Sequence, residues 1–236
     1  MNLKGQVAIV TGGGRGIGRA TALALAESGV SIAVVARTES EIEAVARSIV
    51  DKCGHAIAVK TDVTKEDQVE AMVQKVIDHF GKVDILINNA GYAKHAYIHE
   101  VDTDVWNTTM NVNLTGVMFC TRAVFRHMMK RKSGYIINIS SGAGKRGSYK
   151  YSVYSTSKFG VMGFTECVAA EGIQHDIKVS VICPGPVATR MRASNHPGED
   201  PTGIMQARDI ADVALFLINQ PKRAYIREVA VSIFPT

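Results

Sequence analysis

The chain places a tyrosine four residues before a lysine, Tyr154-Ser155-Thr156-Ser157-Lys158. On a helix this spacing sets phenol and ammonium on one face, close enough to interact. A free tyrosine has a pKa of about 10 and exchanges protons poorly near neutrality, whereas an adjacent cation favours the phenolate and pulls that value down. None of the other tyrosines has a lysine four residues on. The pair therefore suggests proton transfer at the oxygen of a carbonyl undergoing redox chemistry. Isolated pairs of this kind also sit on solvated helix faces, so its meaning depends on what accompanies it.

What accompanies it is a glycine-rich turn, Thr11-Gly12-Gly13-Gly14-Arg15-Gly16-Ile17-Gly18, directly after the apolar run Val7-Ala8-Ile9-Val10. Strand, glycine turn and helix N-terminus make an anion site, because unpaired N–H groups and the positive end of the helix dipole face the ligand. The spacing Gly12-x-x-x-Gly16-x-Gly18 departs from the commoner G-x-G-x-x-G, and Arg19-Ala20 after Gly18 excludes a triphosphate loop, which needs Lys and Ser or Thr. At the end of the second apolar run a carboxylate would bind the ribose 2′-hydroxyl of NAD. Here Val35-Ala36-Arg37-Thr38 offers a guanidinium and a hydroxyl instead, and Arg15 can reach the same group. Two cations and no carboxylate at this corner favour NADP(H) over NAD(H).

The elements that must position these residues follow from alternation. Short apolar runs alternate with amphipathic stretches: strand 7–10, helix 16–27, strand 31–36, helix 39–52, strand 56–59, helix 65–80 and strand 85–87. Helices follow over 102–110 and 114–130, then strand 135–139, helix 152–171, strand 179–183, helix 207–219 and strand 229–234. Continuous apolar strands are covered on both faces. The pattern predicts an α/β fold, a single-domain Rossmann-type doubly wound parallel sheet spanning 1–236, with helices on both faces. The longest irregular stretch, Arg190 to Gln206, falls beyond the carboxyl ends of the strands, where ligands bind, and is the candidate substrate lid.

Composition bounds the remaining possibilities. With 236 residues, 46% hydrophobic and 21% charged, the chain has a globular makeup. No apolar run is long enough to span a membrane, and the start Met1-Asn2-Leu3-Lys4-Gly5 carries no signal-peptide core, so a soluble cytoplasmic protein is expected. Cys53, Cys120, Cys167 and Cys183 are far apart and read as core thiols rather than a disulfide framework or zinc ribbon. The net charge of +5 is spread out with no aromatic stacking platform, which argues against a nucleic-acid partner. His95 and His99 have no further ligand at metal spacing, so no metal site is expected.

The glycine turn, Asn88-Asn89-Ala90-Gly91 after the fourth strand, and Tyr154-x-x-x-Lys158 occur in this order and at these intervals, and the chain closely resembles the short-chain dehydrogenase/reductase family over nearly its whole length. The resemblance implies a hydride exchange between a nicotinamide and a carbonyl or secondary alcohol, carried out by a serine, the tyrosine, the lysine and an asparagine. In Ile136-Ile137-Asn138-Ile139-Ser140-Ser141 the interval to Tyr154 points to Ser141 as the serine, with Ser140 the neighbour to test as control. In Met110-Asn111-Val112-Asn113-Leu114 the asparagine falls on Asn113, just before a helix, where it would cap and hold a proton-relaying water. By the same resemblance Asp62 and Val63 flank the adenine, Asn89, Ala90 and Gly91 support the cofactor, and Pro184-Gly185-Pro186-Val187-Ala188-Thr189 contacts the nicotinamide amide. Singly, Asp62 also reads as a helix cap and Asn88-Asn89 as a turn former.

The cluster Arg126, His127, Lys130, Arg131, Lys132 reads first as a solvated helix end. It also resembles the basic surface with which 3-oxoacyl carrier-protein reductases of this family receive an acidic carrier. That leaves a small carbonyl or alcohol substrate, with a carrier-bound acyl thioester as the alternative, and a non-catalytic dinucleotide sensor as the reading from another class. Met191 and Met205 offer adaptable apolar contacts in the lid, and Arg190 and Arg192 candidate anion contacts. A homo-dimer or homo-tetramer is implied. Many members carry a Gly-Gly pair near the last strand and a longer tail, whereas this chain ends Val229-Ala230-Val231-Ser232-Ile233-Phe234-Pro235-Thr236, a departure that bears on the tetramer interface.

Overall fold

The computed structural model describes residues 3–234; Met1, Asn2, Pro235 and Thr236, at the ends of the expected domain, lie outside the described residues. Seven parallel strands, β1 (Val7–Thr11), β2 (Ser31–Ala36), β3 (Ala56–Lys60), β4 (Ile85–Asn88), β5 (Gly134–Ile139), β6 (Ile177–Pro184) and β7 (Glu228–Val231), pair in the order β3-β2-β1-β4-β5-β6-β7. The order reverses between β1 and β4, which opens a crevice at their carboxyl ends.

Side chains alternate across each strand, and the two resulting faces bury separate clusters. Ala8, Val10, Ile32 and Val34 face α1 (Gly16–Glu27), α2 (Glu39–Val50) and α8 (Ala207–Ile218) through Leu25, Ile42, Ile49, Ile210 and Leu217. Val7, Ile9, Ala33 and Val35 face α3 (Glu66–Phe80), α5 (Gly116–Arg131) and α6 (Ser152–Ile173) through Val69, Met72, Cys120, Met128 and Val168. Each fully enclosed Leu, Ile or Met contributes about 1.5–3 kcal/mol relative to exposure, so these two layers fix the strand ends that carry the site.

Four expectations change on folding. The helices expected over 102–110 and 114–130 are joined: α4 (Thr103–Met110) runs into α5 through a single π turn, Asn111–Thr115. The stretch 190–206 is not wholly irregular, since it holds a short helix α7 (Arg190–Asn195) and a 3-10 turn, Pro201–Gly203. Two of the four expected core thiols, Cys53 and Cys167, are exposed, because they lie on the outer sides of a turn and of α6; Cys120 and Cys183 are buried. The last strand stops at Val231, short of the expected Phe234, which is itself exposed.

Candidate active site

A cleft of about 460 Å³ lies over the carboxyl ends of the strands, lined by the glycine turn at one end and by Ser141, Tyr154 and Lys158 at the other. Gly12 has φ +63°, and a Cβ there would meet Asn89 Nδ2 at 2.8 Å and Ala90 Cα at 2.9 Å. A Cβ on Gly18 would strike the Gly12 carbonyl oxygen, so this glycine lets α1 approach the turn and lies beneath the cleft lining. The Asn89 amide donates to the carbonyls of Thr11 (2.9 Å) and Gly12 (3.2 Å). The Thr11 hydroxyl oxygen accepts from the N–H groups of Asn89 (3.0 Å) and Ala90 (3.1 Å). Asn89 thus braces the loop while Gly12, Gly16 and Ile17 line the cleft. No side chain caps the start of α1, so its first N–H groups stay available to an anion. Turn and helix end together fit a dinucleotide diphosphate.

At the far end Arg37, Thr38, Asp62, Val63 and Arg15 line the cleft. Asp62 serves its local turn, accepting from the Thr64 N–H (3.0 Å) and hydroxyl (2.8 Å). The corner expected to lack a carboxylate contains one: Glu41, in the first turn of α2, lies 3.6 Å from Arg15 and 3.4 Å from Arg190. Helical rise brings it back over the end of β2, which reading along the strand alone misses. Arg37 is exposed and makes no ion pair among the described residues. The corner still fits a phosphate, with Glu41 opposing part of the charge.

At the reacting end the spacing of four holds, and α6 presents Tyr154 and Lys158 to the cleft. Lys158 is 4% exposed, and its ammonium donates to the Ile139 carbonyl at 2.8 Å. Its Nζ is 5.8 Å from the centre of the Tyr154 ring. Burial lowers the Lys158 pKa to about 8. Burial also pushes Tyr154 up to about 12, opposed by its hydrogen bond to Ser141. The expected lowering of the Tyr154 pKa by Lys158 is therefore absent in this geometry: one shared enclosure penalises charge on both groups. Ser141 faces Tyr154, whereas the Ser140 hydroxyl donates to the Lys158 carbonyl at 3.2 Å and serves the backbone.

Asn113 does not reach the cleft lining. It is fully buried within the π turn, where its Oδ1 accepts from the Tyr92 N–H (2.7 Å) and its Nδ2 donates to the Tyr92 carbonyl (2.9 Å) and Ser157 Oγ (3.0 Å). The expected cap and water-holding side chain is instead a clamp joining the loop after β4 to α6. Because α4 and α5 are continuous, no helix start exists at Asn113 to be capped.

The other wall of the reacting end was invisible in the sequence. The His95 ring lies 3.8 Å from that of Tyr151 and 6.0 Å from that of Tyr154, and all three line the cleft. The Tyr151 hydroxyl is hydrogen bonded to His196 Nε2 at 2.7 Å and accepts from Arg192 at 3.3 Å. Burial, followed by the charges of His196 and Arg192, lowers the His95 pKa to about 4. Arg192 and Arg190, expected as anion contacts, are engaged: Arg192 meets Glu199 through two bonds of 2.6 and 2.5 Å, and Arg190 meets Glu41. Neighbouring Thr189 caps α7 by accepting from the Arg192 N–H at 3.2 Å.

Pro184, Gly185, Val187 and Thr189 line the cleft where β6 ends. Val187 bridges Met205, and the Ala188 N–H donates to the Met205 carbonyl at 2.8 Å, so both ends of the segment 190–204 are pinned together. At the opposite, amino ends of the strands Arg131 donates to the Val83 carbonyl (3.1 Å) and Asp84 (2.7 Å), and Arg126 of α5 pairs with Glu70 of α3 at 3.2 Å.

This architecture has known counterparts. The short chain dehydrogenase family matches residues 6–200. A 3-oxoacyl-[acyl-carrier-protein] reductase of Synechocystis is 39% identical, with 95% of this chain and 93% of that protein covered. A metagenomic short-chain oxidoreductase in complex with NADP superposes with a TM-score of 0.87 at 34% identity, covering 100% of both chains. Actinorhodin polyketide ketoreductase with NADPH superposes with a TM-score of 0.90 at 30% identity, covering 97% of this chain and 96% of that one. Sequence, strand order and cleft agree, and the chain belongs to the short-chain dehydrogenase family of oxidoreductases.

Proposed function

We propose that this protein is an NADP(H)-dependent carbonyl reductase, with Tyr154 as proton donor. The observation that carries the reading is the pairing of Tyr154 and Ser141 beside buried Lys158, at the end of a cleft that begins at the glycine turn. When bound, the nicotinamide supplies a hydride to the carbonyl carbon, and negative charge develops on the oxygen. Tyr154 then delivers its phenolic proton to that oxygen, giving the alcohol. Ser141 donates to the same oxygen, a contact worth about 3–4 kcal/mol in comparable sites. Lys158, anchored on Ile139, would hold the ribose hydroxyls and return positive charge to the site as Tyr154 loses its proton. Gly12, Gly16 and Ile17 would receive the diphosphate, Arg37, Thr38 and Arg15 the 2′-phosphate, Asp62 and Val63 the adenine, and Pro184, Gly185, Val187 and Thr189 the nicotinamide amide. Ala90 and Gly91 form the intervening floor, Gly18 and Asn89 shape the turn from beneath, and Asn113 positions the loop at Tyr92. The segment 190–206 covers the substrate.

NADPH oxidation measured against a ketone panel tests this reading. Turnover with at least one ketone is expected, and NADPH binding without turnover of any would instead indicate a dinucleotide sensor. For the cofactor, Arg37→Asp with Arg15→Ala is expected to shift the ratio of specificity constants from NADPH toward NADH, and an unchanged ratio would contradict the 2′-phosphate assignment.

A carrier-bound 3-oxoacyl thioester is the second reading, favoured by the similarity to the Synechocystis 3-oxoacyl-[acyl-carrier-protein] reductase. Arg131 is partly buried against Asp84, whereas Arg126 stays largely exposed beside its partner Glu70, so the test reverses Arg126 and Lys130. Loss of activity on the carrier-bound substrate alone supports docking there, and equal activity on bound and free substrates opposes it. A cytoplasmic homo-dimer or homo-tetramer completes the reading, and light scattering in solution measures the assembly.

A further inference from the structure

We infer that His95 determines substrate specificity by hydrogen bonding a second, uncharged oxygen next to the reacting carbonyl. The inference rests on the carbonyl-reducing reading of Tyr154.

His95 is held at its ring and at its backbone. Its ring packs on Tyr151 with centroids 3.8 Å apart, and its backbone N–H donates to Asn195 Oδ1 at 3.0 Å. Asn195 also donates to the Ala93 carbonyl at 3.1 Å, which ties the loop after β4 to α7. Tyr151 is itself fixed by His196 and Arg192, so the imidazole stands on a preorganised support. Its Nδ1 is enclosed without a partner, and Nε2 makes no hydrogen bond yet is not enclosed, which leaves Nε2 as the polar atom open at the cleft wall. With its ring 6.0 Å from that of Tyr154, the imidazole adjoins the position of a substrate atom close to the reacting carbonyl.

The charge state selects the kind of oxygen. An imidazole that protonates only near pH 4 is neutral in ordinary buffers, so it provides a hydrogen bond without a counter-ion for a carboxylate. Of the arginines lining this part of the cleft, Arg192 is doubly bonded to Glu199 and Arg190 is paired with Glu41, while Arg146 is exposed and its charge is screened by solvent. A hydroxyl, ketone or ester oxygen suits this wall. A carboxylate beside His95 would gain no counter-ion from the imidazole, and an alkyl chain would leave the open nitrogen unpaired.

Ethyl acetoacetate and heptan-2-one have chains of equal length and differ in the second oxygen function, and acetoacetate carries the anionic form. Specificity constants with NADPH are measured for all three in wild type, His95→Phe and His95→Gln. The ratio of ethyl acetoacetate to heptan-2-one is expected to fall about tenfold or more in His95→Phe and to stay within about threefold of wild type in His95→Gln, whose amide retains hydrogen bonding. Both ketones are read on one preparation, so loss of folded protein cancels from the ratio. An unchanged ratio in His95→Phe, or a wild-type preference for acetoacetate over its ethyl ester, would overturn the inference while leaving carbonyl reduction intact. NADPH binding with no reduction of any of the three would remove the underlying reading, and the inference with it.

Discussion

At the scale of single residues, the site is built from groups whose burial decides their protons. Tyr154, pushed up to about 12, is a neutral phenol throughout the working range and is poised to give a proton rather than take one. Lys158, lowered to about 8, keeps its charge at neutral pH and loses it as pH rises through that value. Carbonyl reduction is therefore predicted to decline above about pH 8, and a rate still rising at pH 9 would contradict the assignment. The same shift bears on stability. A folded pKa below the free lysine value means the folded state binds fewer protons, so stability gains from Lys158 as pH rises from about 8 to 10.5. Lys158→Met should remove that gain in denaturation curves measured across the window. The spacing of Tyr154 and Lys158 was legible because a helix fixes it locally. Their proton affinities were not, since burial is set by the whole fold. His95 looked like a loop histidine because its partners Tyr151 and His196 arrive from distant segments.

At the scale of elements, apolar alternation was enough to place every strand, with errors confined to element ends, the π turn and the short helical pieces of 190–206. That turn was illegible because Asn113 looks like a cap in sequence, and only the packed loop reveals its bonds to Tyr92 and Ser157. Asn113→Ala would leave the half-buried N–H and carbonyl of Tyr92 without their partner, a loss of about 1–3 kcal/mol measurable by urea unfolding. A cost below about 0.5 kcal/mol would contradict the clamp, being the range of ordinary surface changes. The segment 190–206, the proposed lid, makes a second element-scale prediction. Its first residue, Arg190, shares Glu41 with Arg15 across the cofactor end of the cleft. Glu41→Gln should release both cations and tighten NADPH binding by up to about fivefold, as exposed pairs allow, with a smaller effect on NADH. Equal effects on the two nucleotides would show that Glu41 does not act at the phosphate corner.

At the scale of the whole molecule, the sheet separates chemistry from scaffolding. The groups proposed to bind anions and to transfer the proton gather at the carboxyl ends of the strands, where the order reverses, while Arg131 and Asp84 stitch the amino ends of β1 and β4 together. Burial raises the Asp84 carboxyl, but hydrogen bonds from Arg131, Lys82 and the Val7 N–H outweigh it and hold the pKa below the usual carboxylate value. This contribution is present at neutral pH and is lost as pH falls below about 4, through the depressed value. Asp84→Asn should flatten the acid limb of the stability curve, and an unaltered limb would contradict the linkage. The fold class was legible because alternation and the glycine turn are regular. The division of the basic cluster was not, because the carboxylates that pair with it lie on other elements. The central claim is that Tyr154 donates the proton at a site where the nucleotide binds independently of that hydroxyl. Tyr154→Phe tests it most directly: NADPH affinity, followed by fluorescence, should stay within about twofold while ketone reduction falls by at least about a hundredfold, the lower end of general-acid contributions. Substantial turnover in the variant would contradict the account.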